Sequence, residues 1–273
     1  MKKTTITGFR TRYHNVIIKS GKGGVHKTGA TTHVSSAALM LGARLHLFEI
    51  DKQKLLAKLF GALCTTVQLS GAAELASKSA AHLTQLNGLF EAMTADNEDL
   101  VICDIGAGFE GLVFEAMLAG GVGPLLAGGS RKTAVIIPFD TSDESLESAV
   151  VASQRSELVL PEAALIFCAP DPGFTPNTAR SRQLWKDHIA PAVEKNGLMV
   201  FPALGADVYD IFTAAGVAPH RFAELDPVEL ARRTGQLQFV ARSSILQLSA
   251  LTAHVAREGE RLLGFRQSED ASA

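Results

Sequence analysis

The chain has 273 residues and a formal net charge of −2, which suits one large domain or two small ones. With 47% hydrophobic and 20% charged residues it can bury a sizeable core, and no global basic field points to nucleic acid or membrane. Its three cysteines, Cys64, Cys103 and Cys168, form no C-x-x-C pair, so they fit a reducing compartment better than a disulfide framework and leave no sequence-local zinc or iron–sulfur site.

The N-terminal stretch MKKTTITGFRTRYHN is basic with no apolar run after it, unlike a signal peptide. No stretch of about twenty apolar residues would span a bilayer, so the expected location is the cytoplasm. Residues 15–20, NVIIKS, predict a short buried strand. The glycine-rich stretch SGKGGVHKTGATT, 20–32, comes next, and 28–41 predicts a helix. Strand, loop and helix open a βαβ unit. Further strands are expected at 44–50 (RLHLFEI), 99–105 (DLVICDI), 133–139 (TAVIIPF), 163–169 (AALIFCA) and 197–204 (GLMVFPAL). Thr141-x-x-Glu144 reads as a capping box, and Asp226-Pro227 as an N-cap and first helical position. GGVGPLLAGGS, 120–130, reads as a surface connection. Short apolar strands alternating with helices predict an α/β fold: a doubly wound, mostly parallel sheet with helices on both faces.

The loop follows G-x-x-x-x-G-K-[ST] at Gly21, Lys27 and Thr28, but His26 stands at the second glycine. In such a loop the N–H groups of residues 21–28 wrap phosphates at a helix N-terminus. Lys27 would reach the β- and γ-phosphates, and the Thr28 hydroxyl would ligate Mg²⁺. A residue at position 26 is expected at positive φ, where strain of about 1–3 kcal/mol persists only if the surroundings fix it.

Lys22, directly after the first glycine, makes the pattern more specific. KGGVHKT resembles the deviant Walker A motif, K-G-G-x-G-K-T, of the ParA/MinD family of P-loop ATPases. FEIDKQ, 48–53, resembles that family's D-x-D-P-Q segment at Asp51 and Gln53, with Glu49 in place of the first aspartate. LVICDIGAG, 100–108, resembles its Walker B strand at Asp104, and AVIIPFDTSDESLESAV resembles the strand and helix after switch II. The likeness is strong to about Val150 and weak beyond.

The resemblance implies one P-loop ATPase domain over residues 1–265, with a disordered tail at 266–273. It implies ATP and Mg²⁺ as cofactors and an ATP-bridged homodimer. Gly21, Lys22, Gly23, Gly24, Val25, His26, Lys27 and Thr28 would bind nucleotide. Lys22 would reach the partner's phosphates, Asp51 would orient the attacking water, and Thr28 with Asp104, the latter through water, would hold the metal. His26, Glu49 and the missing hydroxyl at Gly29 lead us to expect binding with slow hydrolysis. Asp171, in APDPG, reads as a turn residue.

Within that family ATP-driven dimers position cargo on DNA or membranes. Arg221, Arg232, Arg233 and Arg242 are candidate DNA contacts, with Arg180, Arg182 and Lys186 as a second group, and a DNA role would place the protein on the nucleoid. The amphipathic stretch 245–265 could serve a membrane surface, but it better suits a final helix packed on the sheet. The alternative function is a non-hydrolytic, nucleotide-controlled adaptor that recruits a protein partner. A metabolic P-loop ligase has nothing beyond the shared loop to support it.

Overall fold

The computed structural model describes residues 8–25, 27–69, 79–171, 173–202 and 206–267. The described chain opens with β1 (Phe9–Arg10), β2 (Asn15–Lys19), α1 (Lys27–Met40), β3 (Leu45–Ile50), α2 (Leu55–Phe60) and β4 (Cys64–Thr66). It continues through α3 (Ser79–Thr94), β5 (Leu100–Ile105), α4 (Glu110–Ala119), α5 (Val122–Gly128), β6 (Thr133–Pro138), α6 (Asp143–Val159) and β7 (Ala164–Ala169). After it come α7 (Ala179–Leu184), α8 (Ala190–Asn196), β8 (Leu198–Val200), α9 (Ala206–Ala215), α10 (Pro227–Thr234), α11 (Gln238–Glu258) and β9 (Arg266–Gln267).

Seven strands form one parallel sheet in the order β4-β3-β5-β2-β6-β7-β8. Alternate residues of each strand face opposite layers. Val16, Ile18, Ile102 and Ile136 pack under α1, α9 and α11, while Ile17, Val101, Cys103 and Val135 pack under α3, α4 and α6. Because both faces are covered, the strands read as continuous apolar runs, which is why they were visible in the sequence. The doubly wound expectation holds. β1 and β9 pair antiparallel as a separate ribbon, Phe9 opposite Gln267. Arg266 and Gln267 therefore belong to a strand rather than to a tail, and residues 268–273 lie outside the described residues.

Two local expectations need correction. Residues 120–130 are not merely a surface connection, because they contain α5. Gly123 is buried there so closely against the end of α6 that a Cβ would overlap the Val159 carbonyl oxygen. Gly123→Ala should therefore cost about 2–3 kcal/mol or more, as overpacking against backbone does. A urea-melt midpoint equal to the parent's would contradict this packing. The cap of α6 is Ser142, not Thr141. Its hydroxyl accepts from Ser145 N at 3.3 Å, because Ser142 has the extended backbone an N-cap needs. The Asp226-Pro227 reading holds, with the Asp226 carboxylate accepting from Val228 N at 2.9 Å.

The stretch 245–265 lies mainly within α11, which begins earlier, at Gln238. Ile245, Leu248, Leu251 and Val255 are buried in the core, so its apolar stripe serves packing and not a membrane surface. Among the described residues no single helix is long and apolar enough to cross a membrane.

Candidate nucleotide site

β2 is the central strand, and its C-terminal end delivers residues 20–25 to the start of α1. In open α/β sheets that end of the strands is where ligands sit. Ser20 and Val25 are buried and anchor the loop, while Gly21, Gly23 and Gly24 are exposed along it. Gly24 has φ +79°, the left-handed region that favours glycine, so a tight turn falls there. His26 itself lies outside the described residues.

Lys27 opens α1, and its Nζ donates to the Lys22 carbonyl at 2.8 Å, tying the two ends of the loop together. Burial lowers its pKa, and the carboxylates of Asp104, Asp51 and Glu110 oppose that shift. The Thr28 hydroxyl donates to Asp104 Oδ2 at 2.9 Å and the Thr31 hydroxyl to Oδ1 at 3.1 Å. Asp104 is fully buried at the end of β5, directly beside β2. Burial pushes its pKa up to about 7, against the two hydroxyls and Lys27, which lower it. A buried carboxylate held only by hydroxyls, with a threonine hydroxyl at a helix start, is an all-oxygen donor set that suits Mg²⁺. Thr28 and Asp104 are the residues that would hold the ion. When bound it would neutralise phosphate charge there.

Asp51 follows β3 and is half-buried, with Oδ1 accepting from Gln53 N at 3.0 Å. Its other oxygen would lie 2.6 Å from a Cβ at Gly106, so glycine at 106 lets the acid approach loop 106–109. The signature-type lysine, Lys22, points back along its own chain. Its Nζ donates to Ser142 Oγ at 2.8 Å and lies 3.4 Å from Asp140 and 3.7 Å from Glu144, all at the start of α6.

Glu49 does something the sequence did not reveal. It is fully buried and its two oxygens accept from Leu56 N at 2.8 Å and Ala57 N at 3.1 Å. The carboxylate thus satisfies the first turn of α2, where Lys54, at φ 52°, offers no side-chain cap. The longer stem of glutamate, compared with aspartate, supplies the reach.

Beside the loop, a cleft of about 230 Å³ is lined by Val25, Ala30, Phe139, Asp140, Cys168 and Phe201. A larger cavity of about 380 Å³, near Tyr13, Arg131, Lys132 and Lys195, lies at the opposite, N-terminal ends of the strands, away from the loop. Asp171 Oδ1 accepts from Gly173 N at 2.6 Å, as a turn residue does.

Three of the four first candidate DNA contacts are already engaged. Arg232 makes two bonds to Glu229, at 2.9 and 2.7 Å, Arg221 lies 3.9 Å from Glu224, and Arg233 donates to the Ala215 carbonyl at 3.2 Å. Arg242 is exposed on α11. In the second group Arg180 pairs with Glu147, Arg182 donates to the Asn177 carbonyl at 3.3 Å, and Lys186 is exposed.

Lys27 and Thr28 open α1 while Asp104 ends β5, yet the sheet sets all three around one loop mouth. The arrangement is a doubly wound α/β sheet with a glycine-rich turn between its central strand and the helix that follows. Solved structures similar to the chain include three proteins of low identity. The septum site-determining protein MinD of Pyrococcus horikoshii OT3, solved with Mg-ADP, is 13% identical at a TM-score of 0.49, over 92% of this chain and 97% of that one. The MinC:MinD cell division complex of Aquifex aeolicus gives 14% identity and a TM-score of 0.47, over 90% and 94%. Apo McdA of Cyanthece gives 15% identity and 0.45, over 86% and 100%. No family model matches the chain, and no curated protein matches it.

Proposed function

We propose that this protein is a Mg²⁺-dependent ATPase of ParA/MinD type that dimerises around ATP, hydrolyses it slowly, and acts in partition or positioning. The observation that carries the reading is the Thr28–Asp104–Thr31 cluster set against Lys27 at the loop mouth. Phosphoryl transfer needs positioning and charge neutralisation more than covalent chemistry, and these groups supply both. Lys22 would leave Ser142, Asp140 and Glu144 to reach a partner's phosphates, so its present contacts suit the monomer. ATP is preferred over GTP on the motif resemblance. DNA contact would require Arg221, Arg232 and Arg233 to exchange neighbouring acids and carbonyls for DNA phosphates, with exposed Arg242 added to them, and such phosphate binding predicts steep salt dependence.

One observation favours the adaptor reading as the second choice. Asp51 Oδ1 already holds the turn at Gln53 and Glu49 caps α2, so both acids of this segment carry a structural hydrogen bond. Sizing the protein with Mg²⁺ and no nucleotide, ADP or ATP tests the first reading, and a single unchanged species with no calorimetric binding would overturn it. Asp51→Ala separates the two. On the ATPase reading it keeps ATP affinity, accumulates dimer and lowers turnover by about a hundredfold or more. Turnover equal to the parent's would reduce Asp51 to a turn-capping acid.

A further inference from the structure

Beneath the phosphate loop lies a buried ion pair that the nucleotide chemistry does not use. Lys19, the last residue of β2, is fully buried, and its Nζ donates to Glu110 Oε1 at 2.8 Å. The ammonium also sits 3.8 Å from the centroid of the Phe114 ring. Glu110 is the first residue of α4, directly after loop 106–109, and its charge is favourably placed at that helix N-terminus. A third element joins through α6. Arg155 Nη1 lies 3.9 Å from Glu110 Oε1. A Cβ on Gly21 would be 2.7 Å from Ser148 Oγ and 3.7 Å from Glu110 Oε2, so the first loop glycine rests directly on this cluster.

Stability alone does not account for this choice of residues. A buried pair returns little more than its desolvation costs, and an apolar pair of similar volume does as well or better. What the pair adds is direction. It joins the strand feeding the phosphate loop to the helix leaving the loop that follows Asp104, and does so at one register. Burial lowers the Lys19 pKa to about 8 against the pull of Glu110, which leaves the lysine charged in neutral solution.

Resting on the nucleotide reading above, we propose that Lys19 and Glu110 are a positioning pair: they clamp the phosphate loop to loop 106–109, so that a ligand held in the first fixes the second. Neither side chain touches nucleotide. The pair converts phosphate binding at 21–28 into order at 106–110, beside Asp51 and Asp104.

Amide hydrogen exchange with and without Mg-ATP tests this on the full chain. In the parent, nucleotide should slow exchange in both 20–28 and 106–110. In Lys19→Met/Glu110→Met, which replaces both charged side chains with apolar ones of similar length, protection at 20–28 should persist through Lys27 and Thr28. Protection at 106–110 should fall about tenfold, and ATP affinity by a similar factor. A folded double variant with parent-like protection at 106–110 would overturn the pair's role while leaving the nucleotide site standing. If the double variant does not fold, Glu110→Gln alone serves, since its amide oxygen still accepts from Lys19. Protection at 106–110 should then drop about threefold, and parent-like protection would again overturn the proposal. A parent that shows no protection at 20–28 would defeat the nucleotide reading itself, and the pair's role with it.

Discussion

Lys27→Ala should abolish Mg-nucleotide binding, with affinity falling by at least about a hundredfold, or roughly 3 kcal/mol. Lys27 is the cation fixed at the start of α1, where the loop turns into the helix. Around it stand the carboxylates of Asp104, Asp51 and Glu110, each of which favours its charged form. Without the ammonium Asp104 and Asp51 would face the phosphates with less positive charge between them, while Glu110 stays paired with Lys19. The helix N-terminus would still attract an anion, but by far less than the acids would repel one. The tie to the Lys22 carbonyl would also be lost, so the loop would hold its shape less well. Calorimetry with Mg-ATP reads the result, and circular dichroism checks that the variant is folded. Unchanged affinity in a folded variant would refute the phosphate-loop assignment.

Phe167→Ala should destabilise the protein by about 3–5 kcal/mol, the usual cost of emptying a buried phenylalanine site. Phe167 lies in the middle of β7 and is fully buried. Its ring meets Phe139 edge-on at 6.3 Å between centroids. Phe139 in turn meets Phe174 at 5.1 Å and Trp185 at 6.3 Å. The cluster holds α7 and the turn after it against the sheet, and it cannot collapse easily into the space left by one ring. Because Phe139 lines the cleft beside the loop, the cavity should also weaken nucleotide binding, by a smaller factor. Urea melts measure the first effect. A loss below about 1 kcal/mol would mean that the cluster repacks freely, against the rigid interior expected of such a core.

How much of this could be read from the chain depends on the range of the forces involved. Strands β2, β3, β5, β6 and β7 were legible to within one residue or so at each end, because burial on both faces writes an apolar run into consecutive positions. The Lys27, Thr28 and Asp104 constellation was legible for a related reason: each residue sits at the end of such a run or in a glycine loop. β4 was not, since Cys64–Thr66 is three residues long and half exposed. α5 was missed because its glycines read as turn formers, whereas Gly123 is small in order to meet a neighbouring carbonyl. Ser142 and Thr141 compete for one capping role, and only the backbone angle chooses between them. Glu49 and the Lys19–Glu110 pair were beyond reach. Each depends on a partner brought near by the sheet or by a helix start, and a single sequence carries no mark of that pairing.

The central place of β2 has a consequence for how the protein is made. The strand is synthesised before both of its neighbours, since Asn15 pairs with Val101 on one side and with Thr133 on the other. Neither neighbour exists when residues 15–19 leave the ribosome. Parallel pairing at such separations requires long loops to close before any contact rewards them, which makes sheets of this kind slow to fold. The phosphate loop therefore cannot hold its final geometry until the chain has been made through β6. On the proposed function, nucleotide would bind only the finished loop and so would not guide the early stages of assembly. It would act afterwards, by mass action, on a sheet that has already formed.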